Sequence, residues 1–154
     1  MTIAWEGFGN MLDDKDSTQV CPINALGAMG KGLALTMRRA YPDLHVHYRD
    51  AYHPQFSEVK DIYARASLLT VVRVHDVSIL LFCTKLDWHD PSPPELVEGN
   101  LQRLAAQWKE LGIEKLAIPL IGAGEGRLPS AWVRSKIHEY LGPLELPVRL
   151  YLGK

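Results

Sequence analysis

No apolar run in this sequence approaches the ~20 residues needed to cross a bilayer, which excludes a chain built on membrane-spanning helices. The first residues, Met1 to Glu6, lack the basic start and apolar stretch of a secretory signal, so a cytoplasmic protein with no membrane partner is expected. Cysteine is scarce. Cys21 and Cys83 each sit inside an apolar run, the setting of two buried thiols rather than of a disulfide or a reactive pair. Excess positive charge is missing too: 17 Lys and Arg stand against 18 Asp and Glu. Nucleic-acid binding normally uses a broad basic face, so any contact with DNA has to be local. No Cys/His cluster has zinc-ligand spacing, and His45 and His47, two apart, point to different sides of a helix. The histidines read as structural or surface residues; no metal and no cofactor is implied. Repeats, low-complexity tracts and Gly/Ser linkers are also absent, and 154 residues suit one domain, 1–154, expected to be a monomer.

What the chain does have is alternation. Thr18-Gln19-Val20-Cys21-Pro22-Ile23-Asn24 reads as a short buried strand with a polar end, and Ala25 to Gly32 as a turn. Leu33, Ala34, Met37, Ala40 and Tyr41 then recur at helical spacing until Pro42 stops them. Residues 43–53 suggest a second helix and 62–74 one or two strands. Val77 to Cys83 is continuous, apolar and of strand length, and runs into the polar segment Thr84-Lys85-Leu86-Asp87-Trp88-His89-Asp90. Ser92 as cap, Pro93 at the first helical position and Glu95 closing a Ser-x-x-Glu box announce the next helix. Val97, Leu101, Leu104, Trp108 and Leu111 form its apolar stripe, and Gly112 ends it. Lys115 to Ile121 is a strand, Gly122-Ala123-Gly124-Glu125-Gly126 a loop, Val133, Ile137, Tyr140 and Leu141 mark a helix, and Val148 to Leu152 is a closing strand. Such alternation implies an α/β domain with a largely parallel sheet covered on both faces, in which ligands sit outside the carboxyl ends of strands. The segments after Asn24, after Thr84 and after Ile121 all fall at those ends.

Glycine lets a backbone approach a ligand closely, and successive N–H groups at a helix start make a concave anion site. Two glycine segments, each after a buried strand and before a helix, suit two phosphates or one diphosphate. Gly27-Ala28-Met29-Gly30-Lys31-Gly32 is too short for a P-loop, and Gly32 stands where a Ser or Thr must ligate magnesium. Gly122 to Arg127 places its third glycine wrongly for a dinucleotide-binding fingerprint. Nucleotide hydrolysis and hydride transfer are therefore not supported.

Asn24-Ala25-Leu26-Gly27-Ala28-Met29-Gly30-Lys31-Gly32-Leu33-Ala34, followed by Tyr41-Pro42, resembles the first ADP-ribose loop and helix of macro domains. Ile118-Pro119-Leu120-Ile121-Gly122-Ala123-Gly124 resembles their phosphate-binding loop, and the resemblance runs from about Gly9 to Leu152. It implies a three-layer α/β/α fold with a central mixed, largely parallel sheet. The chain looks most similar to two branches, the terminal ADP-ribose protein glycohydrolases and the antitoxins that strip ADP-ribose from thymine bases in DNA. Both carry a lysine after a central strand, where this chain has Lys85; Trp88 and the Pro/Ser/Glu stretch beyond it resemble the antitoxins more. The resemblance implies ligand contacts from Asn10 and Met11, from Asn24, Gly27, Met29, Gly30 and Gly32, and from Ile121, Gly122, Ala123, Gly124, Glu125, Gly126 and Arg127. Asn24 would approach the distal ribose, Gly122 to Gly126 would wrap the diphosphate, and Lys85 would lie near the anomeric carbon.

Three departures matter. Gly9-Asn10 replaces a Gly-Asp pair that takes the adenine amino group, and an Asn oxygen accepts that bond without charge. Gly126 stands where the protein glycohydrolase branch uses an aspartate, and Cys21 where many macro domains have an additional Asn. A lysine in a partly desolvated cleft can serve as nucleophile or base when neutral, or steady a leaving oxygen or phosphate when protonated; otherwise Lys85 is a solvated strand-end residue. Removal of ADP-ribose from a DNA base or an acidic side chain is the leading expectation. A non-cleaving ADP-ribose reader and an ADP-ribose 1″-phosphate phosphatase are the alternatives. His89 and Asp90 can rim the cleft; Arg38-Arg39 reads as a solvated helix face and Tyr151 as a sheet residue rather than a neighbour of adenine.

Overall fold

Residues 2–153 are described by a computed structural model. Strands β2 (Thr18–Asn24), β4 (Val77–Lys85) and β5 (Leu116–Pro119) form the middle of the sheet. β6 (Val148–Tyr151) and β1 (Trp5–Gly7) extend the sheet on one side, and β3 (Leu69–Val74) closes the other, giving the order β1-β6-β5-β2-β4-β3. Every pairing is parallel except β3 with β4, a hairpin turned at His75 and Asp76, whose φ values are 50° and 64°. That left-handed pair matches the twist of the flanking strands.

The period of two along β4 assigns the layers. Ile79, Leu81 and Cys83 face one side, with Cys21 and Ile23 of β2, and meet Met37 of α1 (Gly32–Ala40), Leu44, Tyr48 and Tyr52 of α2 (Leu44–Tyr52) and Ala66 of α3 (Ile62–Ala66). Leu80 and Phe82 face the other way, with Val20, Leu116 and Ile118, against Leu101 and Leu104 of α4 (Pro94–Gln107) and Val133 and Ile137 of α5 (Ser130–Leu141). The result is the expected three-layer α/β/α arrangement around a mixed sheet. Leu101 and Leu104 are fully buried, and truncating either to Ala is expected to remove about 2–5 kcal/mol. Cys21 and Cys83 are buried thiols, each pushed up to about 12 by burial.

Three elements differ from expectation. Residues 62–74 hold a helix followed by a strand, not one or two strands. Asp61 caps α3 by accepting the Ala64 N–H at 2.9 Å, and Arg65, which breaks the apolar run, is buried with its guanidinium on backbone carbonyls. The Ser-x-x-Glu box does not form: Pro93 occupies the cap, Pro94 the first turn, and no side chain caps α4. Ser92 is instead drawn to another segment, donating its N–H to the Gly126 carbonyl at 2.9 Å. Finally, Trp5–Gly7 adds a strand beside β6 that the sequence pattern had not suggested.

Candidate functional site

At the carboxyl end of β2 the register against β4 slips: Ile23 pairs with Cys83, but Asn24 with Lys85. The irregularity brings the first glycine segment alongside the lysine, and the Ala25 N–H donates to the Lys85 carbonyl at 3.1 Å. Asn100, fully buried on α4, fixes the approach from the other side by donating its amide to the carbonyls of Cys83 and Ala66, both at 2.8 Å.

The first loop is shaped by polar side chains. The Asn24 Oδ1 accepts the Leu26 N–H at 2.9 Å, while its Nδ2 donates to the Ala28 carbonyl at 2.8 Å. The Tyr48 hydroxyl accepts from Gly27 N–H at 3.0 Å and Asn24 N–H at 3.3 Å. Its single proton is directed at the Asn24 main-chain and side-chain oxygens, each 2.8 Å away. Burial raises the Tyr48 phenol well above its usual value, so it stays neutral and available to do this. Arg65, also buried, donates from Nε to the Ala25 carbonyl at 3.2 Å.

The second loop relies on backbone and shape. Leu128 N–H donates to Gly122 O at 2.8 Å, and Arg127 N–H to Gly124 O at 3.1 Å. Gly122 holds a φ of 78°, and a Cβ on Gly126 would stand 2.2 Å from Ser92 Oγ and 2.4 Å from Gly122 O. No side chain fits at 126 in this conformation.

The two loops face one another across a cleft of about 570 Å³, within the range of small-molecule sites. Asn24, Gly30 and Gly32 contribute to one wall; Ile121, Gly122, Gly124, Glu125 and Gly126 contribute to the other. Lys85, Thr84 and Trp88 belong to the lining as well, and the Glu125 side chain reaches across toward Gly32. Lys85 Nζ donates to the Trp88 carbonyl at 3.2 Å. Partial burial lowers its pKa below the ordinary lysine value of 10.5, and Arg127 and Lys31 push the same way, while Glu125 opposes them. The site therefore holds a lysine whose ammonium form is less favoured than in water, between two glycine-rich loops.

Other residues singled out by the sequence stand back from this cleft. Asn10 caps the short turn Met11–Asp13, its Oδ1 accepting from Leu12 N–H at 3.1 Å, and Met11 and Met29 are buried in the core. Gly27 turns toward His53, and Ala123 and Arg127 lie outside the cleft wall. Tyr151 packs on Trp5 at 4.9 Å and donates to Asp14 Oδ2 at 2.9 Å, a sheet residue with its own partners. Sequence reading missed Tyr48, Arg65, Asn100 and Ser92. The signal available for Tyr48 was a hydroxyl on the buried face of its helix, a feature it shares with Tyr52; Arg65 and Asn100 interrupt apolar patterns in a similar way.

A family model described as the macro domain matches residues 20–137. A DNA ADP-ribosyl glycohydrolase of Thermus aquaticus is 36% identical over 139 residues, covering 89% of this chain and 37% of that protein. The chain spans about two fifths of the length of the curated relatives it matches. Among solved structures, the macrodomain of Thermus aquaticus DarG aligns with a TM-score of 0.82 at 33% identity, covering 96% of this chain and 97% of that one. Thermosipho africanus DarTG in complex with ADP-ribose aligns with a TM-score of 0.81 at 29% identity, over 94% of this chain and 40% of that one.

Proposed function

The chain belongs to the macro domain family, and on that premise we propose that it binds ADP-ribose in the cleft and hydrolyses the glycosidic bond joining ADP-ribose to a base of DNA. One observation carries the reading: Lys85 sits at the meeting point of the two glycine loops, in the same cleft. Backbone N–H groups of the second loop suit the diphosphate. The relatives named for DNA ADP-ribosyl glycohydrolysis support the DNA base over an acidic side chain.

In the reaction the bond from the anomeric carbon to the leaving atom breaks, a water oxygen bonds to that carbon, and the leaving group gains a proton. The carbon passes through an oxocarbenium-like state. A neutral Lys85 amine takes a proton from the attacking water, or adds to the carbon itself before water displaces it. Gly126 leaves no space for a second acidic group at that position, so the lysine has to do this work without a loop carboxylate there. The same feature is what a non-cleaving reader would have.

Calorimetric titration with ADP-ribose, with ADP and AMP as controls, tests the binding half. Selective uptake of ADP-ribose supports the reading; equal or absent binding of all three ends it. Lys85→Ala then separates enzyme from reader, since a reader has no cleavage for the substitution to remove.

A further inference from the structure

We propose that the Trp88 indole is a nucleobase platform: the base attached to ADP-ribose stacks on it while the bond beside Lys85 is cut. This rests on the glycohydrolase reading above and names the leaving-group subsite of the same cleft.

Trp88 is 52% exposed, among the largest apolar side chains left open to water in the protein. Among the described residues it is the only aromatic one lining the cleft, whose other walls are glycine, aliphatic and short polar side chains together with the charged Lys31, Lys85 and Glu125. Its carbonyl accepts a hydrogen bond from Lys85 Nζ at 3.2 Å, so the loop carrying the indole is tied back to the lysine. What leaves the anomeric carbon next to Lys85 therefore emerges beside Trp88.

The ring is also braced. His89 meets it edge-on, with centroids 5.2 Å apart and planes at 68°. His89 is in turn held by Asp87, through Nδ1 to Oδ1 at 2.5 Å and from its own N–H at 3.3 Å. An exposed tryptophan whose neighbours limit its rotation loses less freedom when a flat partner lands on it.

The chemistry of the leaving group decides between substrates. A nucleobase offers a planar π-face that covers an indole, and such stacking tolerates any base. An aspartate or glutamate side chain has a small carboxyl on a flexible stem and covers little of it. The balanced charge of the chain, 17 basic against 18 acidic residues, supplies no general attraction to a strand, so recognition of a modified one has to be local to the ADP-ribosylated base.

The test compares Trp88→Ala and Trp88→Phe with the unmodified protein on three ligands: an ADP-ribosylated single-stranded oligonucleotide, an ADP-ribosylated glutamyl peptide, and free ADP-ribose. Trp88→Ala is expected to lower kcat/KM on the oligonucleotide by roughly tenfold to a hundredfold, mostly through KM, in line with the known worth of a base–aromatic stack. Trp88→Phe is expected to restore most of that loss. Peptide cleavage and the Kd of ADP-ribose should each move by less than about threefold on the same scale. Equal losses on oligonucleotide, peptide and ADP-ribose would place Trp88 in the ADP-ribose site and overturn the platform while leaving the glycohydrolase reading intact. An oligonucleotide rate untouched by Trp88→Ala, or cleavage of the peptide alone, overturns it as well. If the unmodified protein binds no ADP-ribose, the parent reading fails first and the platform falls with it.

Discussion

In the loop that follows β2, side chains from other elements hold the backbone; in the loop that follows β5, almost none does. Tyr48 of α2 and Arg65 of α3 reach Asn24, Ala25 and Gly27, and His45 Nε2 lies 3.2 Å from the Gly27 carbonyl. Across the cleft, Gly122 to Gly126 is kept in shape by main-chain bonds and by the lack of room for a Cβ at 126. The first loop is specified by polar groups that each need their partner, and the second by volume. Two walls of one cleft are thus vulnerable to different kinds of substitution.

The largest expected effect comes from adding volume to the second loop. Gly126→Ala puts a methyl within 2.4 Å of the Gly122 carbonyl, an atom that cannot move aside cheaply. Overpacking of this sort typically costs about 1–3 kcal/mol, and distortion of this loop should weaken ADP-ribose binding by roughly a hundredfold, two tenfold steps of 1.4 kcal/mol each. Calorimetry and thermal melts measure both; wild-type affinity would mean that the loop is looser than described.

Next is Tyr48→Phe, which keeps the ring and removes the hub of the first loop. It leaves Gly27 N–H and the Asn24 oxygens short of a buried partner. A loss of about 1–3 kcal/mol in urea unfolding is expected, with a roughly tenfold weaker ADP-ribose complex if about 1.4 kcal/mol of that is felt in the bound state. Unchanged stability would show that the polar lock is dispensable.

A smaller effect links the loops through Lys85. If its neutral form is the reactive one, the rate rises with pH and its inflection lies below 10.5, because burial disfavours the ammonium. Glu125 favours the ammonium, so Glu125→Gln should move that inflection further down. A pH–rate profile displaced upward would contradict the assignment. Smallest of all are Gly30→Ala and Gly124→Ala. Nothing lies within 4 Å of a Cβ at either place, so stability should stay within about 0.5 kcal/mol; a large loss at either would erase the contrast between the loops.

The features legible in the sequence were local ones. The β4 run, the α4 stripe and the two glycine segments at strand ends carry their own periodicity, and the layers follow from them. What escaped depends on partners remote in the chain. Tyr48 is 24 residues from Asn24, and Arg65 is 40 residues from Ala25. The helix over 62–66 reads as strand in the apolar pattern, although Asp61 offers it a local cap; the burial of Arg65 on carbonyls of other segments is tertiary and not visible in the sequence. Ser92 fitted a capping box by spacing, but the Gly126 carbonyl offered its N–H a bond that the sequence does not display. Asn10, a ligand contact by resemblance, caps the turn beside it and stands back from the cleft.

The central claim is that Lys85 cuts a glycosidic bond in a cleft built to hold ADP-ribose. Its most direct measurement is the release of ADP-ribose from an ADP-ribosylated oligonucleotide by the unmodified protein and by Lys85→Ala at equal, saturating concentration. Release by the former, with loss of roughly a hundredfold or more in the variant, is the predicted result for a group acting as base or nucleophile. Equal rates in the two proteins, or no release by either, would contradict the account.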